Sequence, residues 1–269
     1  MNEHVPYTTP EADRRFATTL ARGLAVLRAF RASDDGLGNG EIAERTGLPK
    51  STVSRLSWTL HQLGYLTHSG RADRYRPGPA LLALGSVAAA SISFVDLAGP
   101  IMQRTADETG TLSLLLVRDQ AKLLIVKTWR PRGVSSLWLE AGHRVPVMGS
   151  SSGRALLATQ SEEAFHRTVL LAGADPVAAA ETRREAWSQL MGRGFVIHDP
   201  ASYFAPSIHA VARPFQSRDL SEPVIFTCGA MPEDLTVERM RDQVGPRLNA
   251  AVQELERIMG QGGGTIFRD

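Results

Sequence analysis

The chain has 269 residues, of which 43% are hydrophobic and 22% are charged, and its formal net charge is +2. This length allows one large domain or two ordinary ones, and the composition is that of a globular protein rather than a polycation. The single cysteine, Cys228, excludes an intramolecular disulfide and a cysteine-based zinc site.

The first segment, residues 1–16, is polar and contains Pro6 and Pro10, so we expect a flexible arm. It lacks the apolar core of a secretory signal. Along the whole chain, no apolar run reaches the roughly 18 residues that a membrane span requires. We therefore expect a cytoplasmic protein with no membrane partner.

Basic residues are concentrated in the first third of the chain. Residues 1–90 hold 11 Lys and Arg against 8 Asp and Glu, a net charge of +3, whereas the remainder holds 19 against 20. Such a bias permits nucleic-acid binding but does not establish it.

A first helix is predicted from Thr18 by apolar residues spaced i, i+4, i+7 and i+10, namely Leu20, Leu24, Leu27 and Phe30. It ends in RASDDGLGNG, which is rich in helix-breaking residues.

The sequence EIAERTGLPKSTVSRL, residues 41–56, predicts two further helices joined by a tight turn. Gly47 stands where a C-terminal cap belongs, and Pro49 suits the first turn of the next helix. The inner stripe of that helix comprises Val53, Leu56, Leu60 and Leu63. At about 100° per residue, the opposite side carries Ser51, Ser54, Arg55, Trp58 and Gln62.

Two helices, a turn and a polar outer face are typical of a helix-turn-helix. Arg55 can donate two hydrogen bonds to guanine O6 and N7, and Gln62 or a serine can add polar contacts. Lys50 and Ser51 lie in the first turn, where free N–H groups favour a phosphate.

The sequence YLTHSGRADRYRPG, residues 65–78, then predicts two short strands around a basic turn, a wing that contacts the DNA backbone or minor groove. Residues 17–78 therefore form a predicted DNA-binding domain with double-stranded DNA as partner. Its candidate contacts are Lys50, Ser51, Thr52, Ser54, Arg55, Trp58, Gln62, Arg71, Arg74 and Arg76.

A structural helical hairpin is the alternative interpretation. Trp58 has two possible roles: it contacts the sugar-phosphate backbone, or it packs on a neighbouring domain.

The remaining chain predicts a linker and a second domain. Residues 79–98 are rich in Ala and Ser and favour a linker helix. Residues 99–260 alternate strand and helix patterns, and their hairpin spacing indicates an α+β domain with a mainly antiparallel sheet. Residues 261–269 are predicted to be a disordered tail.

The chain resembles the IclR family of bacterial transcription regulators. The resemblance rests on TTLARGLAVLRAF, EIAERTGLPKSTVSRL and RYRPGPALLALG, and on GHRVPVMGSSSGRALLA, GRGFVIHD, SIHAVARPF and FTCGAMPEDLT in the second part. It implies a winged helix-turn-helix, a linker helix and a GAF-like effector-binding domain, assembled as a homodimer or a dimer of dimers. Trp58 stands where the family usually has a small residue.

The resemblance also implies an effector pocket in the second domain. Its wall includes the loop Ser150, Ser151, Ser152 and Gly153, which can present N–H groups and hydroxyls to a carboxylate. The further polar candidates are Ser113, His198, Asp199, Ser207, His209 and Thr227. The candidates for apolar surface are Met148, Trp129, Trp138 and Cys228.

The candidates also have structural interpretations: a turn with an N-cap for the serines, core or interface for the tryptophans, hydrogen-bonded surface or core histidines for His198 and His209, and a buried strand residue for Cys228. No ligand cluster supports a metal, and no catalytic or cofactor-binding motif follows a strand. We predict a ligand-responsive regulator, without cofactor or enzymatic activity, that controls a catabolic operon in response to a small aromatic or short organic acid. An uncharged ligand, or an architectural DNA binder without a ligand, is the alternative.

Overall fold

The computed structural model describes residues 15–31, 33–69, 73–134, 137–199, 204–217 and 220–260. The chain forms two compact units, Met1–Ser91 and Ile92–Asp269. The predicted tail and all but the last two residues of the predicted arm lie outside the described residues.

The first unit is a helix-turn-helix followed by a two-stranded wing. Its elements are α1 (Thr18–Arg28), α2 (Asn39–Thr46), α3 (Lys50–Gln62), β1 (Leu66–Ser69), β2 (Arg74–Pro77) and α4 (Pro79–Ala90). A small apolar core joins α1, α2, α3 and the wing, with Val26, Ile42, Val53, Leu66 and Tyr75 among its buried members. Leu37 and Tyr75 exchange two backbone hydrogen bonds, so the wing is also fixed to the loop before α2.

The apolar spacing of α1 does not coincide with its packed side, and the predicted inner stripe of α3 is wrong in part. On α1 the packed side is that of Gly23 and Val26, so Leu20 and Leu24 are exposed. On α3, Val53 and Leu56 are buried, but Leu63 is exposed. Apolar spacing shows that a stripe exists, but the neighbouring helix decides which part of that stripe is covered.

The predicted linker helix, residues 79–98, is two helices in the structure. Helix α4 ends at Ala90, and Ile92 has non-helical dihedral angles (φ −116°, ψ 81°) before α5 (Ser93–Thr109) begins. None of the residues of α4 is buried, whereas α5 buries one face in the core of the second unit.

The second unit is built on a six-stranded sheet in which every neighbouring pair is antiparallel, in the order β5-β4-β3-β8-β7-β6. The strands are β3 (Leu112–Asp119), β4 (Lys122–Trp129), β5 (Arg144–Pro146), β6 (Val196–Ile197), β7 (His209–Phe215) and β8 (Val224–Ala230). The helices that follow α5 are α6 (Ser151–Thr159), α7 (Glu162–Ala172), α8 (Pro176–Arg193), α9 (Val237–Arg239) and α10 (Gly245–Ile258). A π-helical segment, Met240–Val244, joins α9 to α10.

Each sheet face has its own core. One face packs with α5 and α10 around Phe94, Phe226 and Leu248. The other packs with α6, α7 and α8 around Leu114, Leu156 and Ile225. The predicted α+β class with an antiparallel sheet is confirmed.

Among the described residues, no helix taken singly has the length and apolarity to cross a membrane. Helices α4 and α5 meet that test only when they are joined across their break, and α5 is a core helix with a buried face.

Candidate DNA-binding and effector sites

The outer face of α3 consists of solvent-exposed side chains, as the helical spacing predicts. The exposed candidates on this helix are Lys50, Ser51, Ser54, Arg55, Trp58 and Gln62. Thr52 is half-buried. Trp58 is 60% exposed, a large apolar surface to leave in water. The inner side is closed by Val53, Leu56 and Ser57.

An arginine that sequence reasoning missed fixes α2 to the loop that follows α1. Arg45 donates to the carbonyl of Ala29 at 2.9 Å and forms a two-point ion pair with Asp34 at 2.6 and 2.9 Å. Burial acts to raise the pKa of the Asp34 carboxyl, but the hydrogen bonds from Arg45 and the Arg31 amide outweigh it and the pKa is lowered. These partners lie 11 and 16 residues away along the chain, so no local pattern reveals them.

The wing arginines differ in their surroundings. The Arg74 guanidinium donates to the Gly36 carbonyl and to Glu41 at 2.9 Å, so it holds the wing to α2. Arg76 pairs with the exposed carboxylate of Asp35 and stays half exposed itself. Arg71 lies outside the described residues.

The sheet separates the effector candidates into two groups. Residues paired directly across antiparallel strands point to the same face. Ser113 pairs with both Trp129 and Cys228, and these side chains lie on the face covered by α5 and α10. His209 lies on the same face, where its Nδ1 is 2.7 Å from the carbonyl oxygen of Leu235. One pocket cannot use this group together with candidates on the opposite face.

The opposite face holds the serine run. Ser150 is the N-cap of α6, and its hydroxyl accepts a hydrogen bond from the Gly153 amide. The Ser151 hydroxyl donates to the carbonyl of Ala210 at 2.6 Å, and the hydroxyls of Ser152 and Thr227 are 2.9 Å apart. All four side chains are buried, and their hydroxyls are bonded within the protein. Met148 packs against the same core.

Gly153 allows α6 to lie directly on the preceding loop. A Cβ at this position would be 1.8 Å from the carbonyl oxygen of Val147, far inside the contact distance. Any larger residue must therefore displace either the helix or the loop.

A short segment beside this face, residues 137–139, contains Trp138 and is called the strap below. The Arg130 guanidinium donates to the carbonyls of Leu137 at 2.6 Å and Leu139 at 2.9 Å, and lies 5.0 Å from the centre of the Trp138 ring. Trp138 is 76% exposed, and Leu137 approaches Gly229 on the α6 side of the sheet. Neither Arg130 nor Leu137 was among the predicted site residues.

The remaining candidates lie near β6 and β7. His198 is buried, and its Nδ1 is 2.8 Å from the Asp199 carbonyl oxygen. Burial lowers the pKa of His198, and Arg154 acts in the same direction. Asp199 and Ser207 are exposed.

An open groove of about 480 Å³ lies elsewhere in the second unit and contains none of the predicted effector residues. It is lined by Pro100, Gln103, Arg104, Asp107, Glu108 and Arg132. Its charges are already paired, for example Arg104 with Glu254 at 2.7 Å. Among the described residues, no group of three or more His, Cys, Asp and Glu is arranged to hold a metal.

The fold and the exposed face of α3 define a DNA-binding regulator of the winged helix-turn-helix class. Two family models match the chain: the IclR helix-turn-helix domain over residues 19–70, and the bacterial transcriptional regulator IclR C-terminal domain over residues 87–183.

Relatives match over nearly the full length. An IclR family transcriptional regulator from Brucella abortus is 30% identical in structure-based comparison, with a TM-score of 0.73, covering 96% of this chain and 98% of that one. The HTH-type transcriptional regulator TsaQ1/TsaQ2 of Comamonas testosteroni is 26% identical over 267 residues, 96% of this chain and 95% of that protein. An IclR homologue from Microbacterium hydrocarbonoxydans, solved with 4-hydroxybenzoate, shares the fold at 21% identity and a TM-score of 0.71, covering 91% of this chain and 100% of that one.

The chain belongs to the IclR family of transcriptional regulators.

Proposed function

We propose that this regulator binds operator DNA through the outer face of α3 and controls a catabolic operon in response to a small aromatic or short organic acid. The observation that carries the proposal is the exposed row on α3, held on a helix whose opposite side is buried. Because operator DNA is the partner, we place the protein in the bacterial cytoplasm.

The contacts divide by position on the helix. Lys50 and Ser51, in the first turn, suit a phosphate because the helix N-terminus offers free N–H groups there. Arg55 is exposed one turn further and suits a guanine edge, with Ser54 and Gln62 beside it. In the wing, Arg76 remains a candidate backbone contact, whereas Arg74 acts by holding the wing in place.

The proposed assembly is a homodimer or a dimer of dimers. Helix α4 has no charged residue and buries none of its side chains within its own unit. Its Leu82 and Val87 are largely exposed, as is Leu20 of α1. A helix that is apolar on all sides is normally buried, so a second copy of this chain is the proposed cover. Two DNA-binding heads would then occupy a two-part operator.

The proposed effector site lies on the α6 face of the sheet, between the serine run, Thr227 and the strap at Leu137. A carboxylate there must take over hydrogen bonds that Ser151 and Ser152 now make within the protein. The bound 4-hydroxybenzoate of the Microbacterium homologue, a hydroxylated aromatic acid, supports this ligand class. The proposed site excludes the predicted effector candidates that lie on the other face of the sheet, namely Ser113, Trp129, His209 and Cys228.

Binding of the ligand and binding of DNA are coupled if the ligand favours one arrangement of the two DNA-binding domains in the dimer. A coupling of about 1–3 kcal/mol changes operator affinity by roughly 5- to 150-fold.

The test has two arms. Selection of duplexes from a random-sequence library, followed by gel shifts, should yield a preferred two-part site. Binding without sequence preference would refute the proposal that this protein recognises an operator. Calorimetry then compares benzoate and 4-hydroxybenzoate with benzamide, a neutral control of similar shape. The acids should bind and alter operator affinity. Binding of benzamide alone would contradict the anionic ligand and leave DNA recognition intact.

A further inference from the structure

Trp58 occupies the centre of the outer face of α3. At about 100° per residue, it lies roughly 170° from the mean direction of Val53, Leu56 and Leu60. The polar candidates surround this direction, since Ser51, Ser54, Arg55 and Gln62 all fall within about 60° of it. Ser51, in the first turn, points away from the domain core to the same extent, so the large side chain in the middle of this face is an indole rather than a polar group.

The chemistry of the indole restricts what it can contact. Trp58 is 60% exposed, and its ring offers one N–H donor and otherwise an apolar surface. Phosphates flank the groove and are matched by charged or hydroxyl side chains at the margins of the face, such as Lys50. In the major groove the apolar feature of the base edges is the 5-methyl group of thymine.

We propose that Trp58 recognises a thymine by contact with its 5-methyl group, and so sets part of the sequence preference of the regulator. The inference rests on the proposed function, because it requires that α3 lies in the major groove. It goes further in assigning a base and an atom to one residue.

The experiment uses the full-length protein and the duplex that it selects from a random-sequence library. Each thymine in turn is replaced by deoxyuridine, which removes only the 5-methyl group. Replacement of one thymine in each half-site should weaken binding of the wild type by about 4-fold. This is the loss expected when the contact buries one methyl group fewer, at about 0.8 kcal/mol per methyl. Trp58→Ala should bind the selected duplex more weakly and show no loss at that position.

Two controls separate the contact from indirect effects. Any change in DNA shape caused by deoxyuridine acts equally on wild type and Trp58→Ala, so only the difference between them measures the contact. Trp58→Phe keeps an apolar ring and should keep part of the deoxyuridine effect. Circular dichroism establishes that both variants are folded, as expected for an exposed position.

Three results would overturn the inference. Specific binding that is insensitive to deoxyuridine at every position would contradict the thymine contact and leave the proposed regulator intact. Equal sensitivity in Trp58→Ala and wild type would assign the effect to DNA shape. A change in association state on Trp58→Ala, with the deoxyuridine effect retained, would assign Trp58 to a protein interface. If no sequence is selected at all, the proposed function fails together with this contact.

Discussion

Two serine-rich helix starts in this chain have similar sequences and opposite surroundings. Helix α3 begins with the sequence Lys-Ser-Thr-Val-Ser. Helix α6 has Ser150 as its N-cap and continues Ser-Ser-Gly. Ser51 of α3 is exposed, whereas Ser151 of α6 is fully buried and bonded to the Ala210 carbonyl. Both starts were predicted to present donors to an anion, yet only one has donors that face solvent.

The difference arises from what packs against each helix. Helix α3 is covered on one side only, so the residues opposite Val53 keep their full hydrogen-bonding capacity. Helix α6 lies between the sheet and α8, and Gly153 brings its first turn against Val147. A hydroxyl in that position must find its partner inside the protein, because an unsatisfied buried donor is costly.

The comparison is tested most strongly at Gly153. Gly153→Ala should lower the free energy of unfolding of the second unit by about 3 kcal/mol or more, because the new Cβ collides with backbone rather than with a movable side chain. Urea unfolding followed by tryptophan fluorescence measures it, since Trp129 is buried in that unit.

Gly192→Ala is the matched control, because Gly192 also lies in a helix and its Cβ would meet nothing within 4 Å. It should be neutral or stabilising by up to about 1 kcal/mol. Equal effects of the two substitutions would show that α6 does not depend on close contact with the loop.

The exposed start is tested at Arg55. Arg55→Ala should reduce affinity for the selected operator by about 1–3 kcal/mol if the guanidinium contacts a base, and should leave unfolding unchanged. Arg167→Ala removes the same charge from an exposed ion pair on α7 and should leave operator affinity as it was. Titration by fluorescence anisotropy compares both; an Arg55→Ala protein with native affinity would contradict the assigned role of α3.

The two serines give a smaller and paired effect. Ser151→Ala removes a buried hydrogen bond and should cost about 1–2 kcal/mol of unfolding free energy without affecting operator affinity in the absence of ligand. Ser51→Ala should do the reverse: little change in unfolding and weaker DNA binding. Denaturation and gel shifts on both variants decide the matter, and a stable Ser151→Ala would remove the distinction between the two helix starts.

The sequence predicted those elements whose patterns are local. The sequence HAVARPF has the largely apolar character of a strand and forms β7 (His209–Phe215). Met240, Leu248 and Leu255 lie at helical spacing near the end of the chain, and all three are buried. The interruption at Met240–Val244 keeps these residues buried and was not predicted, because a π-helical segment has no simple sequence signal.

The sites were harder to predict because their contacts are long-range. The contact between Arg130 and the strap, and the burial of the serine run, both depend on which segments meet in three dimensions. One error was avoidable from the sequence: Thr227 and Cys228 are neighbours in a strand, so they point to opposite faces and cannot line the same pocket.

The smallest expected effect concerns His198, a titratable group in the unit where polar side chains are buried. Burial, with Arg154 nearby, lowers its pKa below the ordinary imidazole value of 6.5, and contacts with Asp199 and Glu185 oppose this only in part. Between the folded pKa and 6.5 the unfolded chain binds more protons than the folded one, so stability rises with pH through that window and is lost as pH drops through it. His198→Gln should flatten the dependence, because glutamine does not titrate. Urea midpoints from about pH 5 to pH 8 measure the slope. A wild type and a variant with parallel profiles would mean that His198 is as accessible to protons as an exposed histidine, and that burial on the α6 face is less complete than the serine run indicates.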